Sequence, residues 1–137
     1  MIYKLVCAGD NCFNDLYLKD KDEVIIAIDG GYQVLKDNNI KIDYFFGDFD
    51  SLEKSDIESD NVFIYPSVKD DSDFDLAINY LINNLNINKD DVLYVYNATG
   101  GRLDHFYAIL NTIKKYKDYN IKIFDKNNCI FISDYEM

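Results

Sequence analysis

The chain has 137 residues, 48% of them apolar, and a formal net charge of −11. That is enough apolar material for one domain with a buried core, and it argues against disorder. The negative balance argues against nucleic acid and anionic membranes as partners, because both would repel it; a nucleotide stays open if a metal ion or local donors carry its phosphates.

Short apolar runs alternate with stretches of helical periodicity. Ile2 to Ala8 reads as a first strand and Val24 to Ile28 as a second, apolar throughout, as a parallel strand buried on both faces should be. A helix is expected over 31–38, a third strand at Tyr44-Phe45-Phe46 and a helix over 52–59. The fourth strand, Val62 to Tyr65, stops at Pro66, the sole proline. In the helix expected over 72–85, Leu76, Ala77, Tyr80, Leu81 and Asn84 form a stripe with Phe74 and Ile78 beside it. Ser72 suits its N-cap, and Asp75 can close a capping box. Val92 to Tyr96 is a fifth strand. A helix over 102–117 follows, with Leu103, Phe106, Ile109, Leu110 and Ile113 on one face and Lys114, Lys115 and Lys117 in its last turn, where the dipole favours cations. Ile121 to Phe124 and Cys129 to Ile132 are strands around a polar turn.

This alternation predicts an α/β fold, a three-layer, open, mostly parallel sheet with helices on both faces. No apolar run approaches about 18 residues and no basic-then-apolar leader is present, so a soluble, cytoplasmic protein is the expectation. Cys7, Cys12 and Cys129 are odd in number and unpatterned, which fits reduced thiols better than a disulfide frame or a zinc site. Asn97-Ala98-Thr99 has the form of a glycosylation sequon, to which the missing export signal gives little weight.

In an open α/β sheet, ligands bind beyond the carboxyl ends of the strands. Four strand ends here carry unusual segments. After the second comes Asp29-Gly30-Gly31, where backbone without Cβ lets a ligand approach and helix N–H groups face an anion, although an ordinary tight turn has the same composition. After the third comes Gly47-Asp48-Phe49-Asp50-Ser51. In an extended segment Phe49 points away while Asp48 and Asp50 face one side, as a hard-oxygen Mg²⁺ site requires; a solvated acidic loop is the bland alternative. After the fourth comes Lys69-Asp70-Asp71-Ser72-Asp73. Acidic residues suit a helix start, and Asp73 is singled out because its place in the first turn can aim it at the sheet edge. Lys69 is equally a phosphate donor or a surface lysine. After the fifth comes Thr99-Gly100-Gly101-Arg102-Leu103-Asp104-His105, holding the only arginine and the only histidine. Arginine gives planar, bidentate contact with phosphate that lysine gives poorly. His105 is as readily a packed residue of the first helical turn, and Asp104 either caps the helix or meets a ligand hydroxyl.

In this order and spacing the four segments resemble the thiamine pyrophosphokinases; Ser72 stands where the family usually has threonine. The resemblance implies transfer of the pyrophosphoryl group of ATP to the hydroxyl of thiamine, giving thiamine diphosphate and AMP, with Mg²⁺. Carried over by motif, Asp48, Asp50 and Asp73 are the metal and phosphate carboxylates, and Arg102 joins them in catalysis. Asp29, Gly30 and Gly31, then Ser51, Lys69, Asp70 and Ser72, and the segment Thr99, Gly100, Gly101, Arg102, Asp104 and His105 hold the nucleotide. The general base is best sought among the aspartates of the cluster. The resemblance also implies an ATP-binding catalytic α/β domain over 1–125 and, from 126–137, the start of a truncated thiamine-binding β-sandwich domain, with a homodimer in the full-length protein. Two other readings compete. An apolar strand followed by Asp-x-Asp also opens the haloacid-dehalogenase-type phosphatases, where Asp48 would be the nucleophile. A non-catalytic ATP-binding module is the other.

Overall fold

The computed structural model describes residues 1–9, 11–47, 59–64, 73–100, 103–126 and 129–131, with the backbone alone at 59–64, 73 and 103–105. Along the chain run β1 (Ile2–Val6), α1 (Phe13–Leu16), β2 (Glu23–Ile28), α2 (Gly31–Asp37), β3 (Ile42–Gly47), β4 (Ser59–Ile64), α3 (Asp73–Asn84), β5 (Val92–Tyr96), α4 (Leu103–Lys115), β6 (Asn120–Phe124) and β7 (Cys129–Ile130). The seven strands form one sheet in the order β4-β3-β2-β1-β5-β6-β7. β1 to β6 pair in parallel, and β7 closes the edge antiparallel to β6. This is the α/β sheet the alternating pattern predicts.

Burial on both faces explains the apolar interiors of the central strands. Successive side chains of a strand point to opposite faces. In β2, Ile26 and Ile28 join the core beneath α3 and α4, while Ile25 and Ala27 join the core beneath α1 and α2. In β1, Leu5 lies between Ile26 and Val95 in register. Lys4 is the exception, a lysine only 1% exposed inside a central strand. Its ammonium is held by Asp20 and Glu23, each at 2.6 Å, donates to the Leu18 carbonyl at 2.6 Å, and lies over the Tyr17 ring at 4.6 Å. A buried charge needs such compensation, and here it pins the segment between α1 and β2 to the sheet.

The helices α3 and α4 lie where periodicity puts them, but the α3 stripe is displaced. Phe74, Ala77, Ile78 and Leu81 are buried, Leu76 and Tyr80 are half-buried, and Asn84 is exposed. The face is the i, i+3, i+4, i+7 set starting at Phe74. Tyr80 reaches Tyr44 and Phe46 of β3, ring centroids 5.7 and 5.6 Å apart. Asp75 reaches across to Lys115 of α4 at 3.4 Å; Ser72, the other half of the expected capping box, lies outside the described residues. In α4, Ile109 and Ile113 are buried as expected, and Thr112, between them, turns its hydroxyl to donate to the Ala108 carbonyl at 3.0 Å.

Two expectations need correction. The helix over 52–59 fails at its last residue, since Ser59 opens β4; residues 52–58 lie outside the described set. β4 therefore begins three residues before Val62, through Ser59-Asp60-Asn61. An edge strand pairs on one side only and tolerates such polar residues, and β3 supplies that pairing from Ile42↔Ser59 to Gly47↔Ile64. The four-residue α1 was also not foreseen; it lacks the length for a periodic signal.

Candidate functional site

Because β1 to β6 are parallel, their carboxyl ends lie along one edge. α3 runs from the end of β4 to the start of β5, and α4 from the end of β5 to the start of β6, so each begins at that edge. The backbone thus brings Asp29-Gly30-Gly31, Gly47, Asp73, Thr99-Gly100 and the first turn of α4, with Asp104 and His105, to one side of the sheet. Asp48, Asp50, Ser51, Lys69, Asp70, Ser72, Gly101 and Arg102 lie outside the described residues.

The first two segments are locked together. Asp29 follows β2 in a left-handed conformation, φ 48°, which aspartate tolerates better than most residues. Its N–H donates to the Phe46 carbonyl at 2.9 Å, extending the β2–β3 pairing by one step. Its carboxylate then lies over Gly47, where a Cβ would collide with Asp29 Oδ1. The half-buried carboxylate of Asp29 therefore sits at the last described residue before Asp48. Gly31, first residue of α2, is buried so tightly against the end of β1 that a Cβ would strike the Val6 carbonyl oxygen. Close approach, rather than positive φ, makes this position glycine.

Burial pushes the neighbouring Cys7 thiol up to about 12, with the Asp29 and Cys12 charges adding to it. Cys7 is thus a buried, neutral thiol at physiological pH. Among the described side chains at this edge, Asp29 supplies a carboxylate oxygen, a hard donor. Among the described residues no three His, Cys, Asp or Glu side chains form a metal cluster.

The chain order of the sheet adds a segment that the sequence did not single out. Connections leave β1 for β2 on the α1 and α2 face, and leave β5 for β6 on the α4 face. The strand order reverses between the neighbours β1 and β5, which makes their carboxyl ends the topological switch point where open α/β sheets bind ligands. Cys7, Ala8 and Gly9 after β1 therefore belong to the candidate site beside Asn97, Ala98 and Thr99 after β5. Gly9 before Asp10-Asn11 was the available signal, but one glycine at a strand end has no distinguishing pattern. Asn97, in the sequon, is fully buried and is not an accessible glycosylation acceptor in this fold.

A doubly wound α/β sheet with aspartate- and glycine-bearing segments gathered at its switch-point edge defines the class, the open α/β folds, which as a rule bind ligands at that edge. Residues 16–124 match the family model for the thiamin pyrophosphokinase catalytic domain, a stretch that contains all four motif segments. The chain belongs to that family. It is 34% identical over 118 residues to thiamine pyrophosphokinase of Bacillus subtilis strain 168, covering 81% of this chain and 53% of the relative. It superimposes on the crystal structure of a thiamin pyrophosphokinase from Geobacillus thermodenitrificans with TM-score 0.72 and 26% identity, over 92% of this chain and 60% of that one. The crystal structure of the Bacillus subtilis thiamine pyrophosphokinase, at TM-score 0.75 and 24% identity over 96% of this chain and 64% of that one, shares the fold. The chain thus spans about half the length of the curated relative it matches. A haloacid-dehalogenase reading leaves the Gly100–His105 segment unassigned, whereas the family match runs through it.

Proposed function

We propose that this chain binds ATP with Mg²⁺ and serves the transfer of the pyrophosphoryl group of ATP to the hydroxyl of thiamine, giving thiamine diphosphate and AMP. The observation that carries this reading is the family match across residues 16–124, which spans all four motif segments read from the sequence. Asp48, Asp50 and Asp73 would hold Mg²⁺, whose charge would offset that of the phosphate oxygens. Asp29, lying over Gly47, supports the strand end from which Asp48 departs.

The nucleotide phosphates would meet the turn Thr99-Gly100-Gly101, where backbone N–H groups at a helix start favour an anion. Gly100 already has φ 79°, a conformation in which other residues are strained. Arg102 adds a bidentate donor for phosphate oxygen, Lys69 a further cation, and Ser51, Asp70, Ser72, Asp104 and His105 complete the contacts. An aspartate of the cluster takes the proton of the thiamine hydroxyl. The free cysteines suit a reducing cytoplasm. A β domain beyond Cys129–Ile130, which still pair with β6 in the catalytic sheet, would contribute to the thiamine pocket and to a homodimer of the full-length protein.

Calorimetry with ATP and Mg²⁺, followed by assay of AMP release on adding thiamine, tests the proposal. Binding with AMP release that Asp48→Asn abolishes is the expected result. Binding without release favours a nucleotide-binding module, and no binding overturns both. Phosphate release from a monoester, lost in Asp48→Asn, would favour the phosphatase.

A further inference from the structure

The two loops of the switch point are joined through one side chain. Asn97 is fully buried directly after β5, with φ 61°. Its carbonyl oxygen accepts the Gly9 N–H at 2.6 Å. Its side-chain Oδ1 accepts the Cys12 N–H at 2.8 Å and the Phe13 N–H at 3.0 Å. The approach is so close that a Cβ at Gly9 would collide with the Asn97 carbonyl oxygen. One residue thus takes three N–H groups from the segment after β1, across more than 80 residues of sequence. Three residues later Gly100 leads into α4 and the segment that ends in Asp104 and His105.

We infer that Asn97 is a positioning residue, a latch that holds the loop after β1 against the loop after β5 and so pre-forms the nucleotide crevice; this rests on the ATP-binding reading above. It touches no ligand itself. Its Oδ1 works through the backbone of residues 12 and 13, and its main chain sets the direction in which Thr99 and Gly100 leave the sheet. Nδ2, buried, has no hydrogen-bond partner among the described residues. The working half of the amide is therefore the acceptor, and an aspartate supplies the same acceptor and tolerates the same φ. Pre-organising both walls matters because a displacement near 1 Å in a binding constellation costs on the order of a hundredfold.

The test uses the whole chain and two variants. Asn97→Gly removes the acceptor while keeping the left-handed backbone easy, and Asn97→Asp keeps the acceptor. Amide hydrogen exchange is followed at Cys12 and Phe13, with Leu5 and Val95 as core references, and ATP–Mg²⁺ affinity is measured calorimetrically well below the unfolding midpoints. In Asn97→Gly, exchange at Cys12 and Phe13 rises at least about tenfold against the references, and the dissociation constant rises roughly ten- to a hundredfold. Asn97→Asp keeps exchange at Cys12 and Phe13 close to the parent, whereas its buried carboxylate adds a negative charge near the phosphates and so serves as the control for the exchange arm alone. Unchanged exchange at Cys12 and Phe13 in Asn97→Gly overturns the latch. Faster exchange with unchanged nucleotide affinity overturns the positioning role and leaves a purely structural cap. Failure of the parent chain itself to bind ATP–Mg²⁺ removes the nucleotide reading instead, and the exchange measurement still decides the latch.

Discussion

The carboxylate of Asp29 occupies the space that a side chain at Gly47 would need. Two motifs separated by a helix and a strand are thereby joined where β2 and β3 end, and the glycine of the second is required by the aspartate of the first. Gly47→Ala must displace either the Asp29 carboxylate or the end of β3. The expected cost is about 1–3 kcal/mol of stability, as for overpacking elsewhere, read by urea unfolding. Nucleotide affinity should fall with it; retention of both would show that Asp29 moves aside freely.

Lys4 gives a second prediction. Lys4→Met leaves Glu23, whose side chain is 8% exposed, without its cation. Breaking such a pair from one side costs about 3–5 kcal/mol. Adding Glu23→Gln removes the stranded charge and should restore part of the loss, because glutamine still accepts from the Tyr17 hydroxyl, which bonds Glu23. Equal urea midpoints for the single and double variants would contradict this account.

The observed phase of α3 separates two residues of the stripe read from the sequence. Leu81→Ala, at a fully buried site, should cost about 2–5 kcal/mol. Asn84→Ala, at an exposed one, should stay within about 0.5 kcal/mol. Thermal unfolding of the pair checks the phase directly.

Thiol accessibility gives a fourth prediction. Cys7 and Cys12 are buried, and Cys12 donates to the Phe124 carbonyl at 3.3 Å, whereas Cys129 is exposed. A thiol reagent should label Cys129 rapidly and the other two only on unfolding. Fast labelling that survives Cys129→Ser would show that the loop after β1 opens readily.

Alkaline pH should destabilise the fold. Burial raises Cys7 from 9.0 to about 12 and, as the leading cause, Tyr96 from 10.0 to about 12. Above pH 9 the unfolded chain loses these protons first, so the folded state holds more of them and stability falls as pH rises. The contribution is fully present below pH 9 and is lost between about 9 and 12. Cys7, the more deeply buried of the two, steepens the fall by roughly 1 kcal/mol per pH unit, and Tyr96 by less. Cys7→Ala should flatten the melting temperature against pH across that window; an unchanged slope would sink the assignment to Cys7.

How much of this could be read from the chain varies with the range of the interaction involved. The parallel strands were legible because burial on both faces makes every residue of Val24 to Ile28 apolar, and α3 and α4 because long amphipathic repeats carry a period. The four motif segments were legible because glycine, paired aspartates and a lone arginine at strand ends have few structural uses. Strand β4 read short because an edge strand needs no apolar residues at Ser59-Asp60-Asn61, and the phase of α3 read one step off because a side chain's burial depends on the sheet beneath it. What only the tertiary structure decided are the contacts across sequence distance: Lys4 against Asp20 and Glu23, Asp29 over Gly47, and Asn97 across to Gly9, Cys12 and Phe13. Composition and period encode each residue's preference for water or core, whereas such contacts are fixed when strand order brings β1 beside β5, and no local pattern carries that order.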